Sequence, residues 1–281
     1  MRFIEYIKAI LLGIVEGITE WLPVSSTGHM ILLDEFIKLD VSEGFMELFL
    51  VVIQLGAICA VPVLFFDKLN PFSRKKSREE RKGTWSLWFK VIVGVIPAGV
   101  IGVLLDDLFD KYLYNYVVVA AALIIYGIAF ILVERGRTSK PLRVESVNDI
   151  TYKDALMIGA FQVLSLIPGT SRSGSTILGG ILTGVSRTAS AEFSFFMAIP
   201  IMVAASGLKI VKFLLDGFTA TSGEIILLLV GMVVSFVVSL ASIKFLMDFV
   251  KRHSFKPFGI YRIALGTVVV GYFLIKLAVG A

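Results

Sequence analysis

The stretch Pro168-Gly-Thr-Ser-Arg-Ser-Gly-Ser-Thr176 interrupts two apolar runs with one fixed charge, a row of hydroxyls and two glycines. An arginine at bilayer depth costs roughly 2.5–3.5 kcal/mol on insertion scales, so Arg172 demands a compensating role. Pro168-Gly169 ends a helix, and the backbone amides that follow such a break are free to donate. Small residues let an anion approach those amides, and a guanidinium can grip two phosphate oxygens at once. The stretch therefore reads as a phosphate cradle, formed by Arg172 and the backbone amides that follow Pro168-Gly169. The plainer alternative is a polar turn between two membrane helices, with Arg172 at the interface.

Outward from this loop the chain is strongly apolar. Hydrophobic residues make up 57% of its 281 residues and the mean hydropathy is +0.87, which excludes an ordinary soluble domain. Stretches near 47–66, 87–105, 116–133, 191–214, 224–247 and 258–279 are long enough for bilayer spans of about 20 residues. Pro62 and Pro97 predict kinks within them. The net charge of +5 does not signal nucleic-acid binding, because the basic residues sit in loops between spans. The single cysteine, Cys59, lies in an apolar run. It allows no intramolecular disulfide and no thiolate metal cluster, and it reads as a packing residue. The N-terminal apolar region carries Glu16 and Glu20 and lacks a small-residue cleavage site, so a cleavable signal peptide is not expected.

The loop has a counterpart in the first half. Residues 3–22 end at Pro23, followed by Val24-Ser-Ser-Thr-Gly-His29 and an apolar piece to about Leu39 that is too short to span. Helix, small-residue loop and short helix predict a re-entrant hairpin, tolerated where protein or water satisfies the loop backbone. Residues 153–167, the Pro168–Thr176 loop and a short piece to about Gly184 repeat the plan. A shift of 146 residues places Gly13 on Gly159, Glu16 on Gln162, Ser25 on Ser171 and Gly28 on Gly174; after a one-residue slip Glu47 meets Glu192. The predicted fold is an all-α polytopic membrane protein, one membrane domain built from repeats 1–145 and 146–281. Each repeat is a re-entrant helix hairpin plus three transmembrane helices. An odd number of spans per half gives the halves opposite orientations, an inverted repeat. Lysine and arginine concentrate in 67–86, 134–153, near Arg187 and in 244–262, which the positive-inside rule assigns to the cytoplasm. The hairpins then enter from opposite faces, with their loops meeting near the midplane.

Several side chains in these loops carry chemistry. Glu16 and Glu20 are four apart and share a helix face. Two buried carboxylates so placed repel, and persist only with a shared proton, a cationic partner or a metal, for which Mg²⁺ or Ca²⁺ suits oxygen ligands and a phosphorylated substrate. His29 follows Ser25, Ser26 and Thr27; it can attack phosphorus directly, or deprotonate Ser26 or a water. His253, in Lys251-Arg-His253, reads as ordinary loop charge. The collection fits a hydrolase acting on a membrane-embedded phosphate ester. A transporter or lipid flippase is the alternative class, since broken helices meeting at the midplane also bind anions.

Glu16-Gly-Ile-Thr-Glu20, Ser25-Ser-Thr-Gly-His29 and Pro168-Gly-Thr-Ser-Arg-Ser-Gly-Ser-Thr176 together resemble the signature motifs of bacterial undecaprenyl-diphosphate phosphatases, the family associated with bacitracin resistance. The resemblance runs the length of the chain. It implies hydrolysis of the terminal phosphate of a polyprenyl diphosphate lipid, yielding undecaprenyl phosphate for cell-wall synthesis. It implies a divalent cation and a multi-pass protein of the plasma (inner) membrane, whose site opens to the periplasm or cell exterior. Interlocked inverted repeats are implied too, with a homodimer left open. By position, Glu16 and Glu20 match the family's acidic motif, suggested to bind metal or orient the attacking group. Ser26 and His29 match its proposed nucleophile-and-base pair, and Ser171, Arg172, Ser173 and Thr176 its phosphate-binding motif.

Overall fold

A computed structural model describes residues 2–42, 44–113, 115–137 and 142–279. The chain opens with a hairpin of α1 (Phe3–Thr19) and α2 (Ser26–Asp34). Helices α3 (Phe45–Ile58) and α4 (Ala60–Leu64) form one broken rod, followed by the single turn α5 (Phe66–Leu69). Two long helices, α6 (Arg78–Leu113) and α7 (Tyr116–Arg137), complete the first half. The second half begins with another hairpin, α8 (Tyr152–Val163) and α9 (Arg172–Leu182), and ends with α10 (Arg187–Leu215), α11 (Ser222–Arg252) and α12 (Lys256–Val279).

Six segments are long and apolar enough to cross a membrane: Phe45–Leu64, Arg78–Leu105, Tyr116–Gly136, Arg187–Leu215, Ser222–Arg252 and Lys256–Ala278. They fall on the six stretches read from hydropathy. Their outward faces are apolar as well: Phe89, Ile125, Val233, Ile260 and Leu274 are all exposed. Water would penalise such a surface, whereas lipid does not. The protein is an all-α polytopic membrane protein.

Helix ends differ from the hydropathy reading for local reasons. α6 begins at Arg78, well before its apolar run, because Arg78-Glu-Glu-Arg-Lys82 is built from good helix formers with Glu79 and Glu80 in the first turn. Pro62 lacks the N–H that would bond the Ile58 carbonyl, and the rod breaks at Cys59. Pro97 and Pro200, by contrast, sit inside continuous helices. Cys59 is exposed on the outer surface rather than packed in the interior, which corrects its reading as a packing residue. An apolar neighbourhood in sequence marks lipid-facing and core positions alike.

Helices from the two halves interleave. α1 lies along α11, α8 along α6, α3 against both α10 and α11, and α7 along α12. Small residues permit the approach, as expected where helix association depends on close van der Waals contact. A Cβ at Gly127 of α7 would come within 2.6 Å of the Gly259 carbonyl oxygen, and one at Gly259 within 2.7 Å of the Gly127 carbonyl oxygen. Around the hairpins the interior is aromatic, with Trp21, Phe193, Phe195 and Phe196 fully buried.

Polar contacts gather the connecting loops into two sets. In one, Arg187 donates to both oxygens of Glu134, at 2.8 and 2.5 Å, and the Phe255 amide at the start of α12 donates to Glu134 at 3.1 Å. In the same set Lys68 pairs with Glu192 at 2.8 Å and Arg143 pairs with Asp154. That hydrogen bond raises the Arg143 guanidinium pKa above its ordinary value. In the other set Lys8 donates to the Lys38 carbonyl, the Ser42 amide to Glu224 and Lys209 to Glu47.

Candidate active site

Each hairpin turns through a strained serine. Ser25 (φ 75°) and Ser171 (φ 72°) are the only non-glycine residues with positive φ among the described residues. Such conformations cost about 1–3 kcal/mol and persist only where the surroundings enforce them. Here both serines cap the helix that follows: Ser25 Oγ accepts from the Gly28 amide at 3.2 Å and Ser171 Oγ from the Gly174 amide at 3.1 Å. Gly169 (φ +90°) precedes the second turn against α7, where a Cβ would meet the Val119 carbonyl oxygen at 2.5 Å. No other residue type fits there.

The two turns meet. Arg172 donates through Nη2 and Nε to Glu20 Oε1, at 3.1 and 3.4 Å, and through Nη1 to the Ser194 carbonyl at 2.8 Å. Ser26 Oγ donates to the other Glu20 oxygen at 3.1 Å. Glu20 is thus held between a serine of its own hairpin and the arginine of the other. Ser173 Oγ donates to the Glu20 carbonyl at 3.1 Å, and Thr176 Oγ1 to Ser194 Oγ at 2.7 Å. Both are fully buried behind the turn and tie the loops together.

A cavity of about 480 Å³ opens onto this junction. Its polar floor includes Glu20, Ser26, Gln162, Gly169, Ser171 and Arg172, and its walls are apolar positions of α6 and α10 such as Val95, Gly102, Ile201 and Ala205. Glu16, one helical turn before Glu20 on α1, is 1% exposed, and its Oε1 has no hydrogen-bond partner. Gln162 of α8, which lines the cavity, has both side-chain polar atoms unpartnered. A buried polar atom without a partner costs about 1–3 kcal/mol, so the Gln162 amide at the cavity is poised for a ligand.

His29 is placed elsewhere. Its Nδ1 lies 2.7 Å from the Ser25 carbonyl oxygen and its Nε2 2.6 Å from the Tyr261 hydroxyl. It faces a separate, mostly apolar cavity of about 490 Å³ between α1, α11 and α12. The Ser26 hydroxyl is paired with Glu20, not with the imidazole.

Three further residues were not singled out by sequence reading. Ser194 supplies the acceptor and hydroxyl just described, and only its place in the apolar run Phe193-Ser-Phe-Phe196 marks it. Gln54 lines the cavity from α3. Arg262, counted among the basic residues of the cytoplasmic 244–262 segment, is instead fully buried in α12, a correction that hydropathy could not supply.

The carboxylates that could hold a divalent cation are Glu16 and Glu20. Among the described residues no group of three or more His, Cys, Asp or Glu side chains is placed to hold a metal ion. Glu16 and Glu20 nevertheless give two adjacent carboxylates, one with an orphaned oxygen. Mg²⁺ usually binds through one or two carboxylates and takes its other ligands from water and phosphate oxygens.

An arginine, a serine–glutamate pair and strained helix N-termini at the base of a cavity with apolar walls define the class: a membrane-embedded helical protein with an anion-directed polar site. The family described as "Bacitracin resistance protein BacA" matches residues 9–268, and the chain belongs to that family. It is 58% identical over 274 residues to a protein of Enterococcus faecalis (98% of this chain, 99% of that one) named undecaprenyl-diphosphatase. It is 57% identical over 281 residues to one of the same name from Desulfitobacterium hafniense, covering 100% of both chains. A Clostridioides difficile protein named undecaprenyl-diphosphatase 1 is 57% identical over 272 residues, 97% of each chain.

Proposed function

We propose that the protein is an undecaprenyl-diphosphate phosphatase. It hydrolyses the lipid diphosphate to undecaprenyl phosphate and inorganic phosphate, recycling the carrier for cell-wall synthesis and conferring bacitracin resistance. The observation that carries this reading is the Ser26–Glu20–Arg172 junction at the floor of a cavity walled by apolar helices. The names of the relatives over their full lengths support it. Phosphate release from a prenyl diphosphate by the purified protein in detergent, with a prenyl monophosphate as the non-substrate control, tests it. Absence of release above a protein-free control would overturn it.

In this reading Ser26 Oγ attacks the terminal phosphorus as its proton passes to Glu20 Oε2, 3.1 Å away. The bond from phosphorus to the bridging oxygen breaks, and undecaprenyl phosphate leaves with the electron pair. The departing phosphate carries off the proton held by Glu20, so the carboxylate is free to take a proton from the water that next attacks the phosphoserine; the bond from phosphorus to Ser26 Oγ breaks, and Oγ recovers its proton from Glu20 as inorganic phosphate leaves. Arg172 holds the equatorial oxygens as they gain charge, helped by amides at the N-terminus of α9. The prenyl chain lies along the α6 and α10 walls and stays in apolar surroundings throughout. A divalent cation held by Glu16 and Glu20 would polarise the phosphate oxygens and ease departure of the leaving group.

The same reading extends to architecture. Residues 1–145 and 146–281 form inverted repeats, each a re-entrant hairpin plus three spans. Matched serine caps at Ser25 and Ser171, and the reciprocal seating of α1 on α11 and α8 on α6, support this. The excess of lysine and arginine around 67–86, 134–153 and Arg187 supports a cytoplasmic location for those loops and a site open to the exterior of the inner membrane.

A further inference from the structure

We propose that Arg262 is a positioning residue for the reaction, a clamp from α12 that holds the two hairpin turns at the separation the Ser26–Glu20–Arg172 junction requires. The proposal rests on the reading of that junction as the hydrolytic site. Arg262 Nη1 donates to the Pro23 carbonyl at 3.2 Å, and Nη2 donates to the Gly169 and Thr170 carbonyls, both at 2.9 Å. One guanidinium therefore bonds both turns. Its carbon sits 5.5 Å from the centroid of the Tyr126 ring, so carbonyl dipoles and a ring face meet the charge where a carboxylate would otherwise be needed.

These carbonyls belong to the places where two helices break. Breaks leave backbone acceptors without intrahelical partners, and inside a membrane such groups must be satisfied by protein. Arg262 satisfies three of them with one rigid planar group, which a flexible ammonium cannot match in geometry. Pro23 lies three residues before Ser26, and Thr170 two residues before Arg172. Loss of the clamp would let the nucleophile and the phosphate-binding arginine shift independently. Tyr261, the preceding residue, reinforces the first turn through His29, which lies between its hydroxyl and the Ser25 carbonyl oxygen. The fit is close on the second side as well: a Cβ at Gly174 would stand 3.2 Å from Arg262 Nη1.

The test uses Arg262→Lys and Arg262→Met in the full-length protein, with steady-state kinetics on a prenyl diphosphate and hydrogen exchange of the backbone amides. For Arg262→Lys we expect kcat to fall by about 10–100-fold with KM changed less than about threefold, since a misplacement near 1 Å is enough for such a loss. Exchange should quicken in residues 22–28 and 168–174 together, and not in α7 or α11. Arg262→Met should show the same pattern more strongly; if it does not fold, the lysine variant alone decides. Unchanged kcat would overturn the proposal. So would a rise confined to KM, which would mark Arg262 as a cation that attracts substrate, or faster exchange in only one turn. If the wild-type protein releases no phosphate, the hydrolytic reading fails, and the exchange data still judge the clamp.

Discussion

Replacing Arg172 by lysine separates geometry from charge. Arg172 has five N–H groups, and three are spent on the protein: Nε and Nη2 on Glu20 Oε1, and Nη1 on the Ser194 carbonyl. One N–H remains on each terminal nitrogen, a planar pair suited to two phosphate oxygens. A lysine ammonium has three N–H groups on a single atom. Once it pairs with Glu20 and Ser194, one is left for substrate. The substitution thus removes one preorganised donor from oxygens that gain charge in the transition state. That loss is worth on the order of 10²–10³ in turnover, or about 2.7–4 kcal/mol. Arg172→Ala should fall further, because it also leaves the Glu20 carboxylate, 8% exposed, without its cation. The assay is initial-rate phosphate release from a prenyl diphosphate in detergent, with thermal melts confirming that both variants fold. Turnover of Arg172→Lys within about threefold of wild type would refute the reasoning and return Arg172 to an interfacial anchor, a role in which lysine snorkels equally well.

Ser26→Ala should lower turnover by about 10³-fold or more. His29→Gln should cost no more than about tenfold, the scale of one neutral hydrogen bond near 1 kcal/mol; an inactive His29→Gln beside an active Ser26→Ala would restore the imidazole as nucleophile. Glu16→Gln should weaken the dependence of rate on added Mg²⁺ or Ca²⁺ as well as the rate itself, and full wild-type activity in excess chelator would exclude the metal role. Cysteine in place of Ser77 should be shielded from an impermeant thiol reagent in intact cells while cysteine in place of Asn115 is labelled, and the reverse pattern would invert the orientation.

Hydropathy alone determined the spans, because a bilayer imposes one length and one polarity on every helix that crosses it. The breaks at Pro23 and Pro168-Gly169 were equally legible, since proline and glycine act on the local backbone wherever the chain then goes. Arg172, Glu16 and Glu20 were conspicuous for the same solvent reason: a charge amid apolar residues carries a cost that needs an explanation. What each residue touches was another matter. His29 and Ser26 are close in sequence, yet on the first turn of α2 they point to different cavities, and only α12 arriving with Tyr261 decides which one receives the imidazole. Arg262 looked like one more base near the Lys251-Arg-His253 cluster, but helix packing carries it inward to carbonyls at Pro23, Gly169 and Thr170. The residues it joins lie up to 239 positions away, and backbone acceptors have no signature in sequence. The amino-acid order thus determined the composition of the polar site and the helices that carry it; the pairing of Glu20 with Ser26 and Arg172, and the clamp behind them, exist only because two broken helices from opposite halves of the chain are brought together by packing.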